Sequence, residues 1–144
     1  MQRASRYTFI AICTLTLLAT SVGCAGKAKY QTAVSDNRAN IQHLQFGMSS
    51  NDVAAVMRDG VLVTYRNIRL FNPWRSESFL LRDDGNTRVA ILYYVTEHQR
   101  RWRTVDDQEL TPVVLEEDKV VGWGWSYLRR NMDRYAISVP LEQR

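Results

Sequence analysis

Residues 87–96, TRVAILYYVT, leave the chain few choices. In an extended strand Val89, Ile91, Tyr93 and Val95 point one way, and Ala90, Leu92 and Tyr94 point the other. A strand that is apolar on both faces must be covered on both, which makes it an interior strand of a sheet. Just upstream, SFLLR (78–82) runs into Asp83-Asp84-Gly85-Asn86. Asp-Gly between apolar runs signals a hairpin, because glycine tolerates the positive φ that the turn needs. A second hairpin follows the polar stretch 97–109. Leu110 to Leu115 reads as a strand, Glu116 to Lys119 as a turn, and Val120 to Leu128 as the return strand. In that return Val121, Trp123, Trp125 and Tyr127 share one face by period two, with Gly122 and Gly124 on the other. Glycines inside a strand weaken it unless something approaches closely. A helix or loop backbone is therefore expected to cross at Gly122 and Gly124, with the large aromatics on the opposite face.

Two helices are expected upstream of the strands. Ser35 to Leu44 has Ser35 or Asp36 as a cap and sets Ile41 and Leu44 on one face. In MSSNDVAAVM (48–57), Ser49 and Asp52 have capping-box spacing, Val53, Val56 and Met57 share a face, and Gly60 supplies a stop. Helices this short are marginal alone, so they must pack on the sheet. Gly60 to Tyr65 is a further candidate strand. The expected fold is α+β: two short N-terminal helices packed on an antiparallel β-sheet of three to five strands. One domain is expected, over residues 34–130, with 131–144 as a C-terminal tail.

The first residues serve a different purpose. MQRASR carries Arg3 and Arg6 and no acid, and Tyr7 to Thr20 is an apolar run of fourteen residues containing four threonines. A spanning helix needs about 18 or more apolar residues. Basic, then short apolar, then small residues is the order of a secretory signal. The signal ends at Ser21-Val22-Gly23-Cys24, which resembles a bacterial lipoprotein box. The resemblance implies cleavage between Gly23 and Cys24, a diacylglyceryl group on the Cys24 thiol and an acylated amine. Residues 1–23 are then the signal peptide. Cys13 leaves with it, so Cys24 has no partner for an internal disulfide. One acyl chain holds a protein marginally, whereas the three that the resemblance implies anchor it permanently. Ala25 follows the cysteine where aspartate would retain a protein at the inner membrane, which points by analogy to the outer membrane. Residues 24–33, CAGKAKYQTA, lack apolar period and read as a lipid-anchored tether. Loss of Arg3 and Arg6 lowers the formal charge from +4 to +2, so the basic balance carries no nucleic-acid inference.

LQFGMSSNDVAAVM (44–57) resembles the helix–loop–helix stretch of small outer-membrane lipoproteins of the SmpA/OmlA type, also called BamE-like. NPWRSES, DDGNTRVAILYYVT and ELTPVVLEEDKVVGWGWSYL look like a related group of lipoproteins. The resemblance implies a lipid-anchored BamE-like α+β domain, placed at the outer membrane facing the periplasm, that assists machinery inserting β-barrels.

No pattern of residues points to an enzyme. His43 and His98 are isolated, neither HExxH nor G-x-S-x-G occurs, and GWGW lacks the third glycine of a phosphate loop. The acid clusters Asp83-Asp84, Asp106-Asp107 and Glu116-Glu117-Asp118 fall in expected turns, where solvation explains them. No metal, cofactor or small-molecule substrate is expected. Two surfaces remain. The stripe Val121, Trp123, Trp125 and Tyr127, joined by Tyr94, is either core or a patch binding another envelope protein, since wet aromatic patches mark interfaces. Arg100-Arg101-Trp102-Arg103 is either a solvated loop or a contact for anionic lipid headgroups or glycan phosphates, because guanidinium forks match phosphate oxygens. Inhibition of an envelope enzyme is a third reading, which no residue selects.

Overall fold

The computed structural model describes residues 25–60, 63–65, 68–81, 86–97 and 105–137. The first helix, α1, occupies residues 25–41. After it come α2 (Ser50–Met57), β1 (Val63–Tyr65), β2 (Ile68–Leu70), β3 (Arg75–Leu80) and β4 (Arg88–Val95). A 3-10 turn at Asp107–Glu109 leads into β5 (Leu110–Glu116), β6 (Lys119–Trp123), α3 (Trp125–Arg130) and α4 (Met132–Tyr135). The class is α+β, with α1 and α2 packed against an antiparallel sheet of four strands in the order β3-β4-β5-β6. β1 and β2 form a separate two-stranded ribbon.

β4 is an interior strand, paired with β3 on one side and β5 on the other. Its two apolar faces feed two cores. Val89, Ile91, Tyr93 and Val95 join Leu110, Val114, Leu128 and Tyr135, together with Tyr30 and Val34 of α1 and the ribbon residues Ile68 and Leu70. Tyr94 turns to the other side, with Val113, Leu115, Val120, Ile41, Leu44, Val53 and Met57. α1 contributes to both cores, through Tyr30 and Val34 to one and through Ile41 to the other.

The expected tether at 24–33 and the separate helix at Ser35 to Leu44 are corrected: residues 25–41 are one helix that passes Ser35 and Asp36 without a cap. Its buried stripe is Tyr30, Val34, Asn37 and Ile41, a helical spacing interrupted by a polar residue. Burying a side chain the size of Tyr30 or Val34 is worth about 1.5–3 kcal/mol, enough to hold the first turns down. Asn37 is satisfied inside. Its Nδ2 donates to the Asn72 side-chain oxygen at 2.9 Å and to the Val95 carbonyl at 3.0 Å. Asn72 Nδ2 donates back to Asn37 at 2.7 Å and to the Met57 carbonyl at 2.7 Å. This amide pair ties α1 to the end of β4, the end of α2 and the Asn72–Pro73 link, whose peptide bond is cis.

α2 starts as expected. The Ser49 hydroxyl accepts from Asp52 N at 3.2 Å, and Ser49 N donates to the Asp52 carboxylate at 2.9 Å. It ends at Met57, with Arg58 at the cap in the left-handed conformation (φ 56°) and Gly60, two residues on, also at positive φ (82°). The β5–β6 turn places Glu117 and Asp118 at positive φ, the geometry of a two-residue primed turn.

The long return strand to Leu128 is also corrected. β6 stops at Trp123, Gly124 takes φ 80°, and Trp125 opens α3. Only glycine adopts that φ without strain. What approaches Gly122 most closely is a side chain and not a crossing backbone. A Cβ on Gly122 would sit 2.3 Å from the Tyr127 ring, whereas one on Gly124 would meet nothing. Residues 131–137 are not a free tail. Tyr135 is buried and its hydroxyl donates to Glu116 at 2.7 Å, which docks α4 on β5.

Candidate functional surface

The end of β6 at Gly124 takes the aromatic stripe apart. Tyr94 is fully buried under α2, its hydroxyl donating to Asp59 at 3.0 Å. Trp125 packs on the opposite side of the sheet at 5.9 Å from the Tyr93 ring, and its indole N–H donates to the Leu110 carbonyl at 2.7 Å. Tyr127 lies on Gly122 and meets the Tyr135 hydroxyl at 3.1 Å. These three side chains hold the fold together. Trp123 alone stays at the margin of the core that contains Tyr94.

Trp123 has a partner that the sequence reading did not single out. Phe46, in the loop between α1 and α2, is 72% exposed and its ring lies 5.2 Å from that of Trp123. The loop is held firmly. Gly47 N donates to the Val120 carbonyl, Val120 N donates to the Met48 carbonyl, both at 2.8 Å, and Ser49 bridges to Lys119. The outer edge of β6 is thereby occupied, and Phe46 is presented from a fixed backbone. An exposed aromatic held rigidly loses little entropy on binding, which is what a contact residue needs. One signal in the sequence marks it: a phenylalanine directly before Gly47, in a turn where the chain has no core to fill.

The acids fall into two kinds. Of those expected in turns, Asp83 and Asp84 lie outside the described residues; Asp107 pairs with Arg75, Glu117 accepts from the Arg88 N–H, and Glu116, at the end of β5, accepts from Tyr135 and Arg134. Asp106 N donates to the Glu109 carboxylate at 3.2 Å. Glu109 itself departs from this. Burial, with Asp106 and Glu97 nearby, pushes its carboxyl up to about 7, against the downward pull of the Asp106 N–H. Burial also raises Asp59, while the Tyr94 hydroxyl pulls it back. Tyr135 is raised by burial and by the hydroxyl and carboxylate of Tyr127 and Glu116. Among the described residues no group of three or more His, Cys, Asp or Glu is placed to hold a metal ion, and no helix is long and apolar enough to cross a membrane.

Gly23 and Cys24, and the cluster Arg100, Arg101, Trp102 and Arg103, lie outside the described residues. Asn37, Asn72 and Thr96, with half-buried Glu109, are the polar positions taken into the interior that sequence reasoning missed. Nothing in a single sequence distinguishes a buried asparagine from a surface one.

No curated protein and no solved structure matches the chain. A family model described as protein of unknown function (DUF3192) matches residues 13–130, which takes in both hairpins, both leading helices and the Cys24 segment. The chain belongs to the DUF3192 family.

Proposed function

We propose that this chain is a non-catalytic lipoprotein of the bacterial envelope, anchored through Cys24 and working as a protein-binding accessory module at the outer membrane. Support for the anchor is the order of the N-terminal residues: basic, fourteen apolar, then Ser-Val-Gly-Cys. The family match also takes in residues 13–24, so that segment is shared with the folded part. Residue 25 is already helical and Tyr30 is core, which leaves almost no slack between Cys24 and the domain. The module works within reach of the bilayer surface.

The binding reading rests on one observation, the rigidly presented pair Phe46 and Trp123 beside the covered edge of β6. Partner contact at a Phe–Trp corner supplies large apolar area with few rotors to freeze, the usual composition of interface hot spots. Phe46→Ala tests it in the full chain. The side chain is 72% exposed, so the variant is expected to melt within about 0.5 kcal/mol of the parent. In native membranes it is expected to lose the cross-linked partner that the parent captures, while Asn51→Ala, at an exposed position on α2, keeps it. Capture by Phe46→Ala equal to the parent removes the corner from the account.

A further inference from the structure

The four-stranded sheet has two edges, and they are treated differently. The outer edge of β6 is bonded by the loop at 47–49. β3 has no strand beyond it among the described residues. Its register against β4 pairs Arg75 with Tyr93, Glu77 with Ile91 and Phe79 with Val89, and the same register carries on to Leu81 and Thr87. Leu81 N donates to the Thr87 carbonyl at 2.9 Å, so that pair is a hydrogen-bonded one. Bonded and non-bonded pairs alternate along an antiparallel ladder. The odd residues of β3 therefore bond β4, and Ser76, Ser78 and Leu80 turn their N–H and C=O groups outward.

Charged side chains commonly guard such an edge. Here they fold back over the sheet. The Arg75 guanidinium stacks 4.1 Å over the Tyr93 ring and pairs with Glu77 at 3.2 Å and Asp107 at 3.3 Å. The outward-bonding positions carry two serines and a leucine, with no proline or lysine. Leu80 is 56% exposed, on the face that also holds Ser76, Ser78 and half-buried Leu92.

We propose that β3 pairs antiparallel with β3 of a second copy of this chain, about a two-fold axis through Ser78, joining the two sheets edge to edge. The segment is self-complementary in that register. Ser78 meets Ser78, and Ser76 meets Leu80 of the other copy on both sides of the axis. All outward groups of Ser76, Ser78 and Leu80 are then bonded, about six hydrogen bonds across three pairs. Each exposed Leu80 comes to lie over a small Ser76, beside the Leu92 that pairs with it. The two Glu77 residues approach only on a diagonal, and each already holds its own Arg75. A two-fold contact of this kind is isologous and closes at two copies. It uses neither Cys24 nor Phe46, so it stands or falls apart from the function proposed above.

Cysteine scanning of the full chain in its native membrane, under mild oxidation, reads the register directly. The Ser78→Cys variant is expected to move from monomer to disulfide-linked dimer, since a directly opposed pair lies within disulfide reach. Glu77→Cys is expected to stay monomeric, and the parent chain reports any contribution from Cys13 or Cys24. Ser78→Pro gives the converse. Its N–H points away from β4, so the ladder survives, and the species is expected to fall to monomer mass with the hydrogen-exchange protection of β4 retained. No dimer from Ser78→Cys beyond the parent, cross-linking to a different protein instead, or a dimer mass that persists in Ser78→Pro overturns the proposal.

Discussion

Replacing Asn37 with alanine should be strongly destabilising. The side chain is 2% exposed and makes bonds to two partners. Truncation leaves three groups without a mate: the Val95 carbonyl, the Asn72 side-chain oxygen and one Asn72 N–H. Each buried orphan costs about 1–3 kcal/mol. A cleft lined by Asp36, Asn40, Arg58 and Asn72 adjoins the site, so water can enter and recover part of the loss. The net cost is about 3 kcal/mol, a drop of roughly 10–15 °C in melting temperature for a domain of this size. The amide orientations are not free to compensate, because the Val95 and Met57 carbonyls each require an Nδ2. Urea unfolding of Asn37→Ala, Asn72→Ala and the double variant measures it. The two losses should be strongly non-additive, since either truncation orphans the other amide. A cost for Asn37→Ala below about 0.5 kcal/mol, the range of surface substitutions, refutes the reasoning.

Other perturbations follow from the same packing. Gly122→Ala drives a methyl group to 2.3 Å from the Tyr127 ring and should displace α3 and α4 from β5; loss of the protection of α3 and α4 in hydrogen exchange, with β4 still protected, is the expected pattern. Glu109 has its carboxyl raised from 4.5 to about 7, chiefly by burial. The folded chain therefore holds a proton that the unfolded chain gives up between those values, and stability falls as pH rises through that window. Tyr30 adjoins Glu109 as well, and its hydroxyl is raised to about 12, so it stays neutral throughout. Glu109→Gln should flatten the slope, raising the melting temperature relative to the parent at pH 8 and not at pH 4. An equal change at both pH values refutes it.

Much of the fold was legible where local pattern and tertiary need coincide. The two apolar faces of β4 and the Ser49–Asp52 capping box each have one physical reading, and the structure keeps them, as it keeps the antiparallel pairing of β3 with β4; the Asp-Gly turn itself lies outside the described residues. Residues 120–128 have two. Val121, Trp123, Trp125 and Tyr127 alternate as a strand would, yet Trp125, Leu128, Met132 and Tyr135 are spaced as a helix. Gly124 decides between them, by taking a φ that ends the strand. α1 was hidden for a different reason. Its stripe contains Asn37, which counts as surface until Asn72, thirty-five residues away, is known to meet it. The candidate surface suffered from the same limit. Tyr94, Trp125 and Tyr127 have the chemistry of contact residues and are used for packing, while Phe46 becomes prominent only once its loop is pinned to β6.

The claim on which the functional account depends is covalent and is read most directly by the mass of the N-terminal peptide of the chain taken from native membranes. The account predicts a peptide that begins at Cys24 and carries the mass of three fatty acyl chains, with Cys24→Ser releasing the chain from the membrane fraction. An N-terminus elsewhere, or a Cys24 peptide of unmodified mass in a chain that remains membrane-bound, contradicts it.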